Sequence, residues 1–304
     1  MADIVLRAAV FLIIVALGYV LKRLGMFGKT DFRIVSKIVM NVTLPGAVVA
    51  AFVTAARDPS LFVIVPLGIA ANLLAFLTAF VFSRRMDRTE RIFYMMNVPG
   101  YNIGCATLPF AQGFLGAAGV VATCMFDTGN AVMVAGGTYA ITSAAIGERS
   151  EPVVKTIVKK LFSSVLFDTY FVVFLMMVFQ IRIPTPVARL SETIGAANGF
   201  LAMFMIGMML EFPENMPQLL RAVRTLLLRY GLAIVLSLAC YFLLPFDLMI
   251  RQAVVLALFS PVSTIAPVYT DKLGGDAALA GMTNSVSIPI SLLIMTGLLI
   301  AFGG

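Results

Sequence analysis

The chain has 304 residues, 61% of them apolar and only 12% charged, with a net charge of +7 and a mean hydropathy of +1.01. Soluble domains run at about 45–50% apolar and about 25% charged, so a soluble globular, a disordered and a disulfide-stapled secreted protein are all excluded. Lys and Arg fall in short gaps between apolar runs rather than on one solvated face, which argues against a nucleic-acid partner.

A spanning helix needs about 20 residues, and ten apolar runs meet that length: 4–22, 34–54, 60–82, 92–114, 118–144, 156–180, 187–210, 220–244, 249–271 and 277–302. The first ends in Lys22-Arg23 rather than in small residues suited to cleavage, so it reads as a permanent helix. The second contains NVTLPG, with Pro45 as a break. The fourth contains NVPGYNIGCATLPF, which places Asn97, Pro99, Tyr101, Asn102, Gly104, Cys105 and Pro109 together. The fifth carries Asp127 beside Thr128 and Asn130, and the sixth carries Asp168. An intramembrane carboxylate costs several kcal/mol unless paired, so Asp127 is read as a coupling group or as a partner of a neighbouring helix. Asp168, in less polar surroundings, and Glu211, at a span end, are read as structural and solvated.

The seventh run contains GAANGFLAMFMIG, whose small residues suit close helix packing. The ninth contains SPVSTIAP, with Ser260, Pro261, Ser263, Thr264 and Pro267. The tenth holds Asn284, Ser285 and Ser287, which either coordinate a cation or join helices. Cys105, Cys124 and Cys240 all sit in apolar runs without metal spacing, and histidine is absent, which removes imidazole metal sites and His-based catalysis. No cofactor is expected, with H+ or Na+ as the candidate coupling ion. A membrane-embedded enzyme finds no nucleophile with an adjacent base, and a receptor or channel remains the other non-carrier reading.

Counted in alternate connections, seventeen Lys and Arg fall on one side and five on the other. The rich side comprises Lys22, Arg23, Lys29, Arg33, Lys37, Arg84, Arg85, Arg88, Arg91, Arg149, Lys155, Lys159, Lys160, Arg221, Arg224, Arg229 and Lys272; the poor side holds Arg7, Arg57, Arg182, Arg189 and Arg251. The positive-inside rule makes the rich connections cytoplasmic and puts both termini outside. The Glu148 to Lys160 connection then joins two five-helix halves, 1–147 and 152–304, inserted upside down relative to each other. A shift of 158 residues lays LPFAQGFLG (Leu108 to Gly116) on APVYTDKLG (Ala266 to Gly274), matching Pro109 with Pro267, Leu115 with Leu273 and Gly116 with Gly274.

The fourth and ninth spans therefore carry matching defects. Proline removes a backbone donor and clashes with the preceding turn, and unwound backbone in a membrane survives only where it is buried in protein or lines a cavity. Paired discontinuous helices of this kind mark substrate sites in secondary transporters. The half-helices restarting after the breaks have unpartnered amides and partial positive charge, and Ser260-Pro261 has the cap-then-proline order of a helix start. Asn97, Tyr101, Asn102, Gly104, Ser260, Pro261, Ser263 and Thr264 are the candidate substrate-binding residues, with Asp127, Asn130 and Asn284 in coupling or support. No Lys or Arg is placed near the middle of any span. A carboxylate would then rely on dipoles and neutral donors, which favours a weak or singly charged acid.

GYVLKRLGMF (Gly18 to Phe27), Asn41/Leu44/Pro45, YNIGCATLPF, FDTGN, FLAMFMIGMML, SPVSTIAPVY and KLGGDAALAG, in this order, resemble the auxin efflux carrier family of membrane transporters, which includes plant auxin exporters and bacterial malonate-type carriers. The resemblance implies an all-α fold similar to the bile-acid symporters: ten transmembrane helices in two inverted repeats, with crossed broken helices 4 and 9. It also implies a transport domain (helices 3–5 and 8–10) that moves like an elevator against a scaffold (helices 1, 2, 6 and 7), a homodimer formed through the scaffold, and a bacterial inner-membrane location. The family's crossing Asn falls on Asn102 and its proline elements on Pro109 and Pro261. The chain departs from the usual pattern at Thr107, where glycine is common, at Phe200, where proline is common, and in lacking a paired Asn-Pro-Asn signature, which leaves the substrate open. A sodium-coupled bile-acid-like symporter and an arsenite-type efflux carrier are the alternative transporter readings.

Overall fold

The computed structural model describes residues 2–28, 30–55, 58–148, 153–210 and 216–303; Lys29, Arg57, Arg149 and Glu211 lie outside them. Regular structure among the described residues is helical throughout: α1 (Ala2–Arg23), α2 (Phe32–Ile38), α3 (Leu44–Thr54), α4 (Ile64–Ser83), α5 (Arg88–Asn97), α6 (Leu108–Phe114), α7 (Gly116–Val132), α8 (Thr138–Ala145), α9 (Val153–Leu161), α10 (Val165–Val178), α11 (Thr185–Ala196), α12 (Asn198–Met209), α13 (Met216–Leu243), α14 (Leu248–Leu258), α15 (Ala266–Lys272) and α16 (Ala277–Phe302). Among the described residues, seven helical segments are long and apolar enough to cross a membrane: Val5–Arg23, Phe32–Thr54, Pro59–Ser83, Gly116–Ala145, Thr185–Met209, Met216–Leu243 and Ala277–Phe302. An eighth forms if α9 and α10, which meet at 84°, are counted as one bent span. The protein is an all-helical, polytopic integral membrane protein.

Its outer surface is apolar as well as its core: Ile13 is 65% exposed and Leu227 70%. Water would penalise such a surface, whereas a bilayer solvates it and demands only that backbone polar groups be satisfied internally. Close approach between helices comes from glycines in reciprocal pairs. A Cβ on Gly207 would lie 2.0 Å from the Val15 carbonyl oxygen and one on Gly18 2.3 Å from that of Phe204, so α1 lies flush on α12. Gly68 and Gly129 do the same for α4 and α7, at 2.3 and 2.0 Å from the carbonyl oxygens of Phe126 and Val65. Gly195, in the predicted small-residue stretch, meets the backbone of Ala47, closing α11 onto α3.

The expected fourth and ninth spans are not continuous helices. α5 ends at Asn97, an irregular stretch follows, and a π-helical turn over Ile103–Thr107 leads into α6. α14 ends at Leu258, and α15 resumes at Ala266. α6 and α15 are each seven residues long, stand 158 residues apart and are followed by Gly116 and Gly274, both at positive φ. Pro45, Pro109 and Pro267 each occupy the second position of a helix, where the missing amide donor costs nothing. Pro99 lies within the first irregular stretch.

Two expectations are corrected here. Ser260-Pro261 does not start a helix; the restart comes at Ala266, with Pro267 behind it. Asp168 does not lie within a continuous spanning helix: it stands in the first turn of α10, just past the 84° bend, and is half-buried.

Candidate functional site

The two irregular stretches cross. Tyr101 and Val262 form an antiparallel bridge, and the Asn102 amide donates to the Pro261 carbonyl at 3.0 Å. Gly100, at φ +83°, permits this approach, since a Cβ there would lie 3.2 Å from Cβ of Ser263. Each stretch is held by amide side chains from a neighbouring helix. Asn130 of α7 accepts from the Tyr101 amide at 3.0 Å and donates to the Tyr101 carbonyl at 2.8 Å. Asn72 of α4 accepts from the Gly100 amide at 2.8 Å. On the opposite side Asn284 of α16 donates to the Val262 carbonyl at 2.7 Å, and Ser287 accepts from the Val262 amide at 3.0 Å. Backbone groups of Gly100, Tyr101 and Val262 are thus met by side chains, and the Asn102 amide by the facing backbone, in keeping with the demand of a membrane interior.

The expected lack of a cation near the middle of any span is overturned by Arg229. α13 runs from Met216 to Leu243, which puts Arg229 halfway along it and 3% exposed. Its guanidinium donates to the carbonyls of Val98, Ser260 (3.0 Å) and Pro261 (3.2 Å), and lies 4.6 Å from the centre of the Tyr101 ring. These carbonyls follow the C-termini of α5 and α14, where helix dipoles concentrate negative charge. The arginine therefore neutralises two helix ends at once. A signal was present: Arg229 sits directly after Leu226, Leu227 and Leu228, inside the apolar run.

Beside the crossing lies a cavity of about 300 Å³, at the lower end of ligand-site volumes, which run from about 300 to 1,000 Å³. Of the candidate substrate residues, Tyr101, Asn102, Gly104, Ser263 and Thr264 line it, together with Asp127 and Asn130. The Asn102 side chain has no hydrogen-bond partner among the described residues and remains available within the cavity wall. Asn97, Ser260 and Pro261 are not in the lining. Asn97 is fully buried and donates to Phe93 O at 2.8 Å and to Thr270 Oγ1 at 3.2 Å, tying α5 to α15. Ser260 exchanges a hydroxyl hydrogen bond with Thr107, and Pro261 contributes its carbonyl to Asn102 and Arg229. Asn284 is engaged at Val262 rather than in the lining. Thr107 thus joins one break to the other.

Asp127 reaches the cavity with both oxygens occupied: Oδ1 accepts from Asn130 at 2.9 Å and Oδ2 from the Tyr170 hydroxyl at 2.9 Å. Tyr170, on α10, was not singled out in the sequence, although it lies two residues past Asp168 in a readable motif. Lys160, counted as a solvated loop charge, also lines the cavity. Cys105 lines it too, its thiol 3.4 Å from the Met40 sulfur. No cluster of three or more acidic or thiol ligands suited to a metal occurs among the described residues.

Residues 4–163, just over half of the chain, match the membrane transport protein family. The chain belongs to that family. It is the auxin efflux carrier family that the sequence motifs resemble. A further likeness is to an uncharacterized transporter of Methanothermobacter thermautotrophicus, 28% identical over 126 residues, which make up 40% of this chain and 42% of that protein. The match spans less than half of the relative's length. The matched residues contain the first interrupted stretch and α7, whereas the second stretch, α13 and α16 lie beyond them.

Proposed function

We propose that the protein is a secondary carrier, active or facilitated, of a small organic anion such as a malonate-like dicarboxylate or an auxin-like weak acid. The observation that carries this reading is the cavity at the crossed breaks, lined by the unengaged Asn102 amide and the hydroxyls of Ser263 and Thr264. The reading counts ten spans: the seven continuous segments, the bent α9–α10 pair, and the two interrupted segments that form the crossing. They divide into two inverted halves, with both termini outside and the lysine-rich connections inside.

The packing supports a division into two bodies. α1 packs on α12 and α3 on α11 and α10, as a scaffold would; α4 and α14 pack on α7, α5 on α4 and α15, and α13 and α15 on α16, as a transport domain would, with α3 against α7 at the boundary. Alternating access then follows from an elevator-like slide of the second body along the first, in a homodimer held at the scaffold. Asp127 serves coupling to H+ or Na+.

The test is uptake by proteoliposomes of a panel of labelled mono- and dicarboxylates, with and without imposed proton, sodium and electrical gradients. Saturable uptake of one acid is expected, and Asn102→Ala is expected to abolish it while expression and insertion persist, since the change removes one side-chain amide that makes no hydrogen bond to the described residues. Silence across the whole panel, or unchanged affinity in the variant, overturns the reading.

A further inference from the structure

The cavity wall carries two charged side chains among the described residues, Asp127 and Lys160. Asp127 is engaged by Asn130 and Tyr170. Lys160 has no acidic partner among the described residues. Its ammonium donates to the Tyr269 hydroxyl and lies 4.6 Å from the centre of that ring. Tyr269 is fixed in turn, donating to the Ala135 carbonyl at 2.9 Å. An ammonium has three donors, so a neutral tyrosine leaves most of this one's capacity unused. Beside it the Ser164 and Thr264 hydroxyls line the same cavity, and neither donates to a protein acceptor among the described residues. Lys160 and Ser164 come from the two sides of the bend between α9 and α10, Thr264 comes from the second break and Tyr269 from α15, and all four line the one cavity.

We propose that Lys160 is the carboxylate-binding residue of this cavity, with Ser164 and Thr264 as its hydroxyl partners. This rests on the organic-anion reading and sharpens it: the cargo's negative charge is met by a full cation on α9, while Asn102 and the crossing contact the remainder. One ammonium matches one carboxylate, so the site takes a monocarboxylate or one end of a dicarboxylate. The lysine then exchanges its tyrosine contact for the anion as cargo enters.

Two readouts on the intact protein separate this inference from the reading beneath it. The first is the KM of proteoliposome uptake for acetate, malonate, benzoate and indole-3-acetate; the second is the shift in melting temperature of the detergent-purified protein with the same acids and with their amides. Lys160→Gln is expected to raise KM or the half-saturating concentration by about tenfold or more, the scale of one charge-assisted hydrogen bond, with Lys160→Arg close to wild type and the response to amides unaltered. Lys160 is exposed on α9, so the variant is expected to fold as wild type does. Carboxylate uptake with an unchanged KM in Lys160→Gln overturns the assignment and leaves the carrier reading standing. A Lys160-dependent melting shift without uptake supports the site and removes the carrier reading. Neither uptake nor shift in the wild type overturns both.

Discussion

At the scale of single residues, Arg229 has the clearest energetic consequence. Its charge is removed from lipid and water by three backbone carbonyls and one aromatic face. Replacing it with leucine would leave the Val98 and Ser260 carbonyls without this donor, while the Pro261 carbonyl would keep only the Asn102 amide. Each buried acceptor left unsatisfied costs about 1–3 kcal/mol. Arg229→Leu is therefore expected to lower the melting temperature of the detergent-solubilised protein sharply, with Arg229→Lys intermediate because a point charge cannot reach all three oxygens. An Arg229→Leu protein as stable as wild type would show that the guanidinium is dispensable to the crossing. Asp127 poses a different question, since its carboxylate both lines the cavity and holds Asn130, which holds Tyr101. Asp127→Asn is expected to insert normally and to transport without responding to imposed proton or sodium gradients. Loss of the protein from the membrane instead would assign the carboxylate to structure alone.

At the scale of elements, reciprocal glycines set how closely helices pack. In lipid there is little hydrophobic drive to bring helices together, so contact depends on backbone approach. Gly129→Val would push a side chain into the Val65 carbonyl, which a Cβ alone would approach to 2.0 Å. The clash is between two backbones and has no flexible side chain to absorb it. A loss of at least about 1–3 kcal/mol is expected from overpacking, read as a lower melting temperature and displaced α4. Gly231→Ala provides the contrast: nothing lies within 4 Å of a Cβ there, and replacing a helical glycine stabilises by up to about 1 kcal/mol. The proline positions at this scale behave as their chemistry dictates. Pro45, Pro109 and Pro267 follow irregular or π-helical turns rather than interrupting helices, whereas Pro289 is absorbed inside α16.

At the scale of the whole molecule, the reading of two bodies sliding past each other makes a prediction at Cys105. Its sulfur lies 3.4 Å from that of Met40, and the two residues stand on opposite sides of the proposed sliding boundary, in the second span and in the first break. In a protein with Cys124 and Cys240 replaced by alanine, Met40→Cys cross-linked to Cys105 by a short bifunctional thiol reagent is expected to stop uptake, with cleavage of the linker restoring it. Undiminished uptake by the cross-linked protein would exclude relative motion at that boundary. The chain of apolar runs, the two interrupted segments and the small-residue stretches could all be read from the residues, because hydropathy, helix-breaking and side-chain size are local properties. Tyr101, Asn102, Ser263 and Thr264 were legible for the same reason: they lie at the breaks themselves. Arg229, Lys160 and Tyr170 were not, because each reaches the site from another helix and a charge in a sequence does not state which carbonyl, ring or cavity lies opposite. Asn97 and Ser260 show the converse, polar residues at a break whose side chains turn to neighbouring helices. Composition, the spacing of apolar runs and the helix-breaking motifs established a helical membrane protein with two broken segments. Only the packing of distant helices decided which polar groups are consumed in holding the crossing together and which stay free for a ligand, since a hydrogen bond is satisfied by proximity in space and not in the chain.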